Sequence, residues 1–518
     1  MTGGPKRDGV PPQRPLYVTT PIYYISGTPH IGHAYTTIAA DVLARTARAF
    51  GPARALTGTD EHGQKVANAA AAAGQTPQEY VDALAPQWAA LGPAFDARFD
   101  DFIRTTEPRH QRACLALFER MRENGDVYEG VYEGWYCTHD ETFWPEAKLI
   151  DGRCPNPECR RPVQWLSEKN WFFRLSTYRD RLLAHFRDKP EFLRPATRYN
   201  EMMAILEEGL EDFSISRSSF DWGIPLPGGG VLYVWYDALI NYISALGWPD
   251  DGDGLYATFW PGMHLIGKEI ARFHTIIWPA MLWSAGLPEP ERIFAHGWIT
   301  SEGGTKIGKS LGNAMDPFAL KEEFGADSLR YFLMREAPFG SDFSISIDKL
   351  RQRHNSDLGN DLGNLLRRSL AMLEKYRNRI VPAPGEVSAV HERVADLPAL
   401  VHAHVMALRF REGLDEIWNL VTLLNRAIDE RKPWELYKHG RGVELDAVLY
   451  DLVEGLRWLS LLLFPYLPAK ATEIWRQLGL EGTPERRWED ELVWGGLAAG
   501  TQTNPGAPLF PRIEPPAA

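Results

Sequence analysis

PIYYISGTPHIGHAYTTIAADVLARTARAF, residues 21–50, is the stretch that decides the fold. An apolar, β-prone run at residues 16–20 comes before it, a Gly/Pro-containing turn opens it, and an amphipathic helical pattern runs from His33 onward. A strand, a loop and a helix N-terminus in this order form a ready site for an anion such as phosphate. His30 and His33 are spaced to share one face of the first helical turn, at the helix end that attracts negative charge.

A second phosphate-binding stretch, GWITSEGGTKIGKSLGN, occupies residues 297–313. It is rich in glycine and carries Lys306 and Lys309. Lysines on such a loop could hold a pyrophosphate group, which becomes more negative as it leaves. The two stretches together indicate chemistry on the phosphates of a nucleotide.

These stretches resemble the HIGH and KMSKS signatures of class I aminoacyl-tRNA synthetases. The segments between and after them resemble methionyl-tRNA synthetases, over about residues 16–513. The first signature matches fully, whereas Ile307 and Gly308 replace Met and Ser in the second. The resemblance implies that methionine and ATP, accompanied by Mg²⁺, form methionyl-adenylate, and that methionine then moves to the 3′ end of tRNA(Met). It assigns catalysis to His30, His33, Lys306 and Lys309, and ATP binding to His30, Gly32, His33, Lys309 and Ser310.

Strand and helix patterns alternate in two parts of the chain, which predicts an α/β fold with a doubly wound, parallel, Rossmann-like catalytic sheet. Aromatic-rich short strands interrupt the alternation, and apolar residues at three- and four-residue spacing follow it, as in a helix bundle. The resemblance identifies the interruption as a connective insertion and the bundle as an anticodon-binding domain. We predict a disordered segment at 1–15, half-sheets at 16–118 and 231–316, the insertion at 119–230, a stem-contact linker at 317–359, an all-α bundle at 360–496, and a Pro-rich tail at 497–518.

Recognition of methionine requires an uncharged aromatic and apolar pocket, because a thioether packs well against rings. The resemblance places in this pocket Ile22, Tyr24, Trp235, Tyr242, Ile270, Phe273 and His274. Tyr242 and His274 could donate hydrogen bonds to the sulfur, although ordinary core aromatics are the alternative interpretation. The resemblance also assigns the substrate ammonium group to Asp60, which follows a predicted strand; the alternative is that this carboxylate caps the next helix.

Three of the four cysteines cluster, which in a cytoplasmic protein favours a metal over a disulfide. Cys137, Cys154 and Cys159 with Asp140 provide enough ligands for a tetrahedral, structural zinc site. Methionyl-tRNA synthetases often carry such a knuckle with paired cysteines. This chain departs from that pattern, so His139 competes as the fourth ligand and a metal-free remnant is the alternative. The remaining Cys114 is predicted to be a buried, small hydrophobic residue.

The resemblance assigns anticodon recognition to the predicted bundle, through Asn360, Asn364 and Trp434. Asparagines four residues apart share a helix face and can contact base edges, and an exposed tryptophan can stack on a base. The alternatives are a helix cap for the asparagines and a core position for Trp434. Arg367 and Arg368 could contact phosphate.

The net charge of −12 argues weakly against general nucleic-acid binding, but a local basic patch can still bind tRNA. No apolar run has the length of a membrane span, and the N-terminus lacks the apolar region of a signal peptide. We therefore predict a cytoplasmic protein, and a monomer because the chain ends soon after the bundle.

Competing hypotheses are an isoleucine, valine or leucine enzyme, a cysteine enzyme, a non-catalytic tRNA-binding paralogue and a small-molecule nucleotidyltransferase. The insertion is too short to hold both the knuckle and the editing domain of an isoleucine, valine or leucine enzyme, and the cysteines lie outside the sheet halves, which argues against a cysteine enzyme. Both signatures are intact, which argues against a non-catalytic paralogue, and the long bundle argues against a small-molecule nucleotidyltransferase.

Overall fold

The structure is a computed structural model that describes residues 14–25, 27–140, 142–156, 159–301, 304, 315–385 and 389–515. Most of the segment predicted to be disordered, residues 1–13, lies outside these ranges. The strands are β1 Leu16–Thr19, β2 Tyr23–Tyr24, β3 Ala53–Asp60, β4 Asp101–Arg104, β5 Val127–Cys137, β6 Thr142–Trp144, β7 Gln164–Phe173, β8 Leu193–Arg194, β9 Phe213–Ser214, β10 Ser216–Arg217, β11 Val231–Leu232, β12 Met263–Gly267, β13 Arg292–His296, β14 Ile299–Thr300 and β15 Phe343–Ser344.

Helices fill the spaces between these strands and make up nearly all of the C-terminal part of the described chain. They are α1 Ile31–Arg48, α2 Gln64–Ala72, α3 Pro77–Ala89, α4 Leu91–Ala94, α5 Pro108–Glu123, α6 Arg179–Asp188, α7 Ala196–Glu208, α8 Val234–Leu239, α9 Asn241–Ser244, α10 Leu255–Phe259, α11 Trp278–Ser284, α12 Pro317–Phe324, α13 Ala326–Arg335, α14 Ile347–Arg353, α15 Asn364–Arg377, α16 Ala389–Val394, α17 Leu397–Met406, α18 Phe410–Arg431, α19 Pro433–Lys438, α20 Gly442–Leu463, α21 Pro468–Gln477 and α22 Trp488–Glu491. The segments Phe273–Ile277 and His354–Gly363 are π-helical.

The main sheet has seven strands, and every pairing in it is parallel. From one edge the order is β4, β3, β1, β12, β13 and β8, with β2 paired to the end of β3. The chain runs outward from β1 to β3 and β4 on one side and from β12 to β13 on the other, and β1 and β12 pair through Val18 and Met263. This arrangement confirms the predicted doubly wound sheet. Its switch point lies between β1 and β12, where the carboxyl ends of the strands leave a crevice for ligands.

The inserted region contains an antiparallel sheet in the order β6, β5, β7 and β9. Within the predicted insertion range 119–230, however, β8 pairs with β13 through Leu193 and Ile293, so this part belongs to the main sheet. The sequence boundary differs because a two-residue strand leaves no periodic pattern to detect.

The C-terminal region is all helical around long amphipathic helices, as predicted. The face of α18 toward the core carries Leu414, Ile417, Val421 and Leu424, and all four are buried. The described part of the predicted tail, residues 497–515, packs against this region: Leu509 and Phe510 are buried. In the described part of the chain, no helix combines the length and the apolar character needed to cross a bilayer.

Candidate active site

A cavity of about 690 Å³ opens at the switch point of the main sheet. It is lined by every predicted ATP- and methionine-binding residue that the structure describes: Ile22, Tyr24, His30, Gly32, His33, Asp60, Trp235, Tyr242, Ile270, Phe273 and His274. Lys306, Lys309 and Ser310 lie outside the described residues. The chain positions that approach one another here are separated by more than two hundred residues, and the parallel sheet brings them together.

His30 and His33 form a capping box at the start of α1. The Gly32 N–H donates to Nδ1 of His30 at 3.1 Å, and the His30 N–H donates to Nδ1 of His33 at 3.0 Å. A ring nitrogen that accepts a hydrogen bond carries no proton, so each imidazole keeps its proton on Nε2. Each ring therefore carries its N–H on Nε2, at the positive end of α1.

Aromatic packing holds this pair of rings in place. The centroids of the His30 and His33 rings are 3.8 Å apart, and the His33 ring contacts Tyr23 at 5.0 Å and Trp88 at 4.7 Å. Trp88, on α3, also donates to the carbonyl of Gly27 at 2.9 Å. Sequence reasoning missed Trp88, because no motif near it indicates a site.

Gly32 is required by its close approach to the capping ring. A Cβ atom at this position would lie 2.9 Å from Cε1 of His30, which is shorter than carbon contacts normally allow. Any larger residue would push the imidazole out of the cap.

Asp60 ends β3 and lines the cavity, whereas the next residue, Glu61, does not line it. Glu61 is buried and forms a bidentate pair with Arg104, at 2.7 and 3.0 Å. The next helix, α2, begins at Gln64 after an N-cap of Gly63. Asp60 therefore is not the helix cap that the alternative interpretation required.

The predicted thioether pocket is built from stacked rings. Trp235 and Phe273 stack with centroids 3.8 Å apart and an interplanar angle of 7°. The Tyr242 hydroxyl lies 2.7 Å from Nε2 of His274, whose Nδ1 is 3.0 Å from the carbonyl of Ile270. Burial lowers the pKa of His274 to about 4, so the ring is neutral near pH 7.

This arrangement assigns the protons in the pocket. A carbonyl cannot donate, so Nδ1 of His274 carries the ring proton and Nε2 accepts from the Tyr242 hydroxyl. Both residues are thus engaged, with each other or with the backbone. That they could donate hydrogen bonds to the sulfur stays a prediction; the sequence did not show that one is the partner of the other.

A buried polar network supports the helix that carries Trp235. Asp237 on α8 accepts from His62 and His110, with both N–O distances 2.6 Å. Burial alone would raise the pKa of Asp237, but the two histidines lower it to about 2. Cys114 is buried in a hydrophobic core, as predicted, and its sulfur also contacts this network, 3.2 Å from Nε2 of His110.

Side-chain contacts hold Trp298, at the start of the second phosphate-binding stretch, in place. Trp298 donates through Nε1 to Glu269 at 2.8 Å, and Nζ of Lys268 lies 3.9 Å from its ring centroid. Lys268 also pairs with Asp342 at 2.7 Å. Trp298 and Glu269 line the cavity and were missed, although Trp298 lies within the second phosphate-binding stretch and Glu269 directly precedes the predicted pocket residue Ile270.

The structure groups Cys137, Asp140, Cys154 and Cys159 with one potential ligand atom each, all within 4.8 Å of one another. Sγ of Cys137 and Sγ of Cys159 are 3.5 Å apart, close to the spacing of two thiolates on one tetrahedral ion. His139 is outside this group, but its Nδ1 lies 3.0 Å from Oδ1 of Asp140. Three sulfurs and one carboxylate fit a metal such as zinc, and His139 fits the role of a group that orients Asp140.

The three residues predicted to contact an anticodon are not in this cavity. Asn360 is exposed in the π-helical segment and Asn364 begins α15 without a break, so neither caps a free helix end. Trp434 is 42% exposed on α19, which excludes the core position proposed as its alternative. Arg368 is paired with Asp429 at 2.8 Å.

The fold and this site define the class: the chain is a class I aminoacyl-tRNA synthetase. The family model described as "tRNA synthetases class I (M)" matches residues 16–165 and 158–370. Within that class, the chain belongs to the methionyl-tRNA synthetase family.

Individual relatives support this assignment over nearly the whole chain. The methionine–tRNA ligase of Caldanaerobacter subterraneus subsp. tengcongensis is 46% identical over 511 residues, covering 97% of this chain and 79% of the relative. That of Thermotoga maritima is 46% identical over 513 residues, covering 96% and 80%. The structure of Mycobacterium tuberculosis methionyl-tRNA synthetase in complex with methionyl-adenylate has a TM-score of 0.92 at 42% identity, covering 96% of this chain and 100% of that chain.

Proposed function

We propose that this protein activates methionine with ATP to form methionyl-adenylate and then transfers methionine to the 3′ end of tRNA(Met). The observation that carries this proposal is the similarity, at a TM-score of 0.92, to a structure in complex with methionyl-adenylate, together with the cavity at the switch point of this chain's sheet. The methionine carboxylate attacks the α-phosphorus of ATP, and pyrophosphate leaves.

In this proposal the enzyme positions two anions and stabilises the charge that develops between them. His30 and His33 donate through Nε2 to phosphate oxygens, because the helix cap occupies Nδ1 of each ring. Lys306 and Lys309 neutralise the departing pyrophosphate, and Ser310 contacts ATP. Mg²⁺ enters with ATP as part of the substrate.

The same cavity provides the methionine subsite. Asp60 holds the ammonium group at the end of β3, and the stacked rings of Trp235 and Phe273 form an apolar wall. The remaining pocket residues are Ile22, Tyr24, Tyr242, Ile270 and His274. Sulfur packs favourably against such rings, which favours a thioether side chain.

ATP–pyrophosphate exchange with each of the twenty amino acids tests the activation step, with Lys309→Ala as the comparison. We expect exchange with methionine alone, reduced by at least about 100-fold in the variant. Exchange with leucine, isoleucine or valine instead would overturn the pocket assignment. Absence of exchange in the unmodified chain would favour the non-catalytic tRNA-binding paralogue.

We further propose that Cys137, Asp140, Cys154 and Cys159 hold Zn²⁺, which would cross-link the inserted knuckle. Four protein ligands leave no open coordination position, so the ion would have a structural role.

The proposed anticodon-binding residues are Asn360, Asn364 and Trp434, in the bundle we assign to residues 360–496. The exposure of Asn360 and Trp434 supports this role.

We also propose that the protein acts in the cytoplasm as a monomer. Light scattering should give the chain mass of 58.5 kDa. Twice that mass would overturn the monomer.

A further inference from the structure

A second cavity, of about 270 Å³, lies where the edge of the main sheet meets the helical region. Arg194 on the edge strand β8 and Arg292 on β13 line it from the sheet. Arg409, between the end of α17 and the start of α18, lines it from the helical region. We call this cavity the edge pocket. None of its lining residues lines the active-site cavity, so the two are separate sites.

The edge pocket has more guanidinium groups than carboxylates. Glu191 is the one acidic residue among its described lining residues, and it accepts from Nε of Arg194 at 2.7 Å. The Arg292 side chain makes one hydrogen bond with the described part of the chain, from Nη1 to the carbonyl of Met406 at 3.4 Å. The Arg409 side chain has neither an ion pair nor a hydrogen bond with any described residue. On a chain with a net charge of −12, the lining of this pocket is therefore locally positive.

The turn that carries Arg409 has an unusual backbone. At the end of α17 the Arg409 N–H donates to the carbonyl of His404 and the Leu408 N–H donates to that of Val405, both at 2.8 Å. Leu408 has a φ of 58°, in the left-handed region that glycine usually occupies at this position of a helix end. Its side chain is buried and lines the edge pocket, which anchors the turn and holds Arg409 at the pocket. Backbone strain of this kind is typical of ligand-binding sites.

Aromatic rings form the apolar part of the edge pocket and connect it to the active site. Phe294 and Phe339 both line the pocket and stack with centroids 5.1 Å apart and an interplanar angle of 23°. The Phe339 ring also contacts the rings of Tyr35 and His296, at 5.2 and 5.5 Å. Tyr35 and His296 line the active-site cavity. A continuous series of ring contacts thus joins the two cavities.

We propose that the edge pocket is a second ligand site, which binds a small phosphorylated molecule through Arg194, Arg292 and Arg409. The planar guanidinium group matches the oxygens of a phosphate and binds them with paired hydrogen bonds. A concave pocket with an apolar floor and a few convergent charges is typical of a small-molecule site, which favours such a ligand over the phosphates of a nucleic-acid backbone. A ligand held by arginines from both sides would join the sheet to the helical region.

Calorimetric titration with inorganic pyrophosphate tests the site. Because pyrophosphate also takes part in the proposed reaction, the titration uses Lys309→Ala with its active site saturated by a non-hydrolysable methionyl-adenylate analogue. We expect one pyrophosphate per chain still to bind. Adding Arg409→Met should weaken that binding by about tenfold or more, because charge-assisted hydrogen bonds are lost. Arg426→Met is the matched control: this arginine is exposed on α18, does not line the pocket, and should leave the Kd unchanged.

Glu191→Gln should act in the opposite direction. It removes the carboxylate that occupies Arg194 and repels an anion, so pyrophosphate should bind about threefold or more tightly. A gain of affinity cannot come from misfolding, which separates this result from a general loss of structure. Pyrophosphate should also raise the Tm of Lys309→Ala, and this increase should be smaller once Arg409→Met is added. ATP–pyrophosphate exchange should be retained in the single variants Arg409→Met and Glu191→Gln.

A parallel titration with ADP distinguishes the sources of the phosphate groups. Tighter binding of ADP than of pyrophosphate would identify a nucleotide as the ligand, and equal binding would show that the phosphates alone are recognised. Absence of pyrophosphate binding in Lys309→Ala, or equal losses in Arg409→Met and Arg426→Met, would overturn the site. Weaker binding of tRNA(Met) to Arg409→Met with an unchanged Kd for pyrophosphate would overturn it in favour of a nucleic-acid contact. Absence of exchange in the unmodified chain would instead refute the proposed function and leave this titration unaffected.

Discussion

Arg330 on α13 donates through Nη2 to Oδ2 of Asp41 on α1 at 2.7 Å, and both side chains are fully buried. The same guanidinium donates to the carbonyls of Phe95, Pro465 and Tyr466. The helix that begins at the active-site histidines is thereby joined to the helical region more than four hundred positions further along the chain. The Nε, Nη1 and Nη2 atoms of Arg330 each donate to at least one oxygen. A buried ion pair is tolerated when its remaining donors are satisfied in this way.

Removal of this guanidinium should be strongly destabilising. We expect Arg330→Met to lower the free energy of unfolding by about 3–5 kcal/mol, because it leaves buried carbonyls and a buried carboxylate with fewer partners. Denaturant titration measures the change. Arg476→Met is the control: that arginine is 53% exposed in an ion pair with Glu473, and its loss should cost less than about 1 kcal/mol. Equal losses in the two variants would contradict a special role for Arg330.

Asp327 should make the protein less stable as the pH rises. Burial raises its pKa from 3.8 to about 6, although Arg330 opposes the shift, and Oδ1 has no partner among the described residues. A carboxyl group whose pKa is raised on folding costs nothing below about pH 4, and its penalty grows until the pH passes 6. Asp327→Asn should therefore be more stable than the unmodified protein by about 3 kcal/mol at pH 7, and by less than about 1 kcal/mol at pH 4. A gain of the same size at both pH values would refute this assignment.

His33→Ala should reduce catalysis far more than stability. The substitution removes one proposed phosphate donor, which we expect to lower kcat for ATP–pyrophosphate exchange by about 10²–10³-fold. The lost cap should cost only about 1 kcal/mol. Thr76→Ala is a matched control, because Thr76 and Glu79 form a capping box on α3. It should lower stability to a similar extent without affecting exchange; a comparable loss of activity there would mean that capping, not phosphate contact, explains the His33 result.

Tyr242→Phe should weaken the use of methionine. Without the hydroxyl, Nε2 of His274 loses its donor in a fully buried position, which costs about 1–3 kcal/mol. We expect kcat/KM for methionine to fall by about 5–150-fold in the exchange reaction. Tyr236→Phe serves as the control, since this hydroxyl lies on α8 beside the sulfur of Met121 at 3.5 Å. Unchanged kinetics in Tyr242→Phe would exclude the hydrogen bond as part of methionine recognition.

Metal content should distinguish Asp140 from His139. We expect one zinc ion per chain by atomic emission, lost in Asp140→Ala because the carboxylate is grouped with the three sulfurs. His139→Ala should still bind zinc, about 10–100-fold more weakly, because His139 only contacts Asp140. Retention of zinc in Asp140→Ala together with its loss in His139→Ala would reverse the assignment.

Much of the active site follows from short stretches of sequence. The spacing of His30 and His33 specifies a helix start, and the observed capping box uses those two side chains and the backbone between them. The alternation of strands and helices predicted a doubly wound sheet, and such a sheet places its ligands at the switch point. The cysteine cluster was likewise recognisable, because its members are close in sequence.

Other features depend on contacts between distant parts of the chain. His62 and His110 meet Asp237 only because β3, α5 and α8 pack together. Trp88 reaches His33 from another helix, and no spacing rule connects the two. The two-residue strand β8 joins the main sheet although its residues show no strand pattern.

The sequence by itself determined the longer strands and helices, their order and the predicted chemistry of the two phosphate-binding stretches, because caps, turns and periodicity are set by neighbouring residues. Only the tertiary structure decided which ring nitrogen of His30, His33 and His274 carries a proton. It also decided that Glu61 pairs with Arg104 and that tryptophans align across β6, β5 and β7. These properties depend on strand register and helix packing, and a shift of one residue in register would turn a side chain to the opposite face. For that reason Trp144, Trp135 and Trp165 align only in the folded sheet, across β6, β5 and β7.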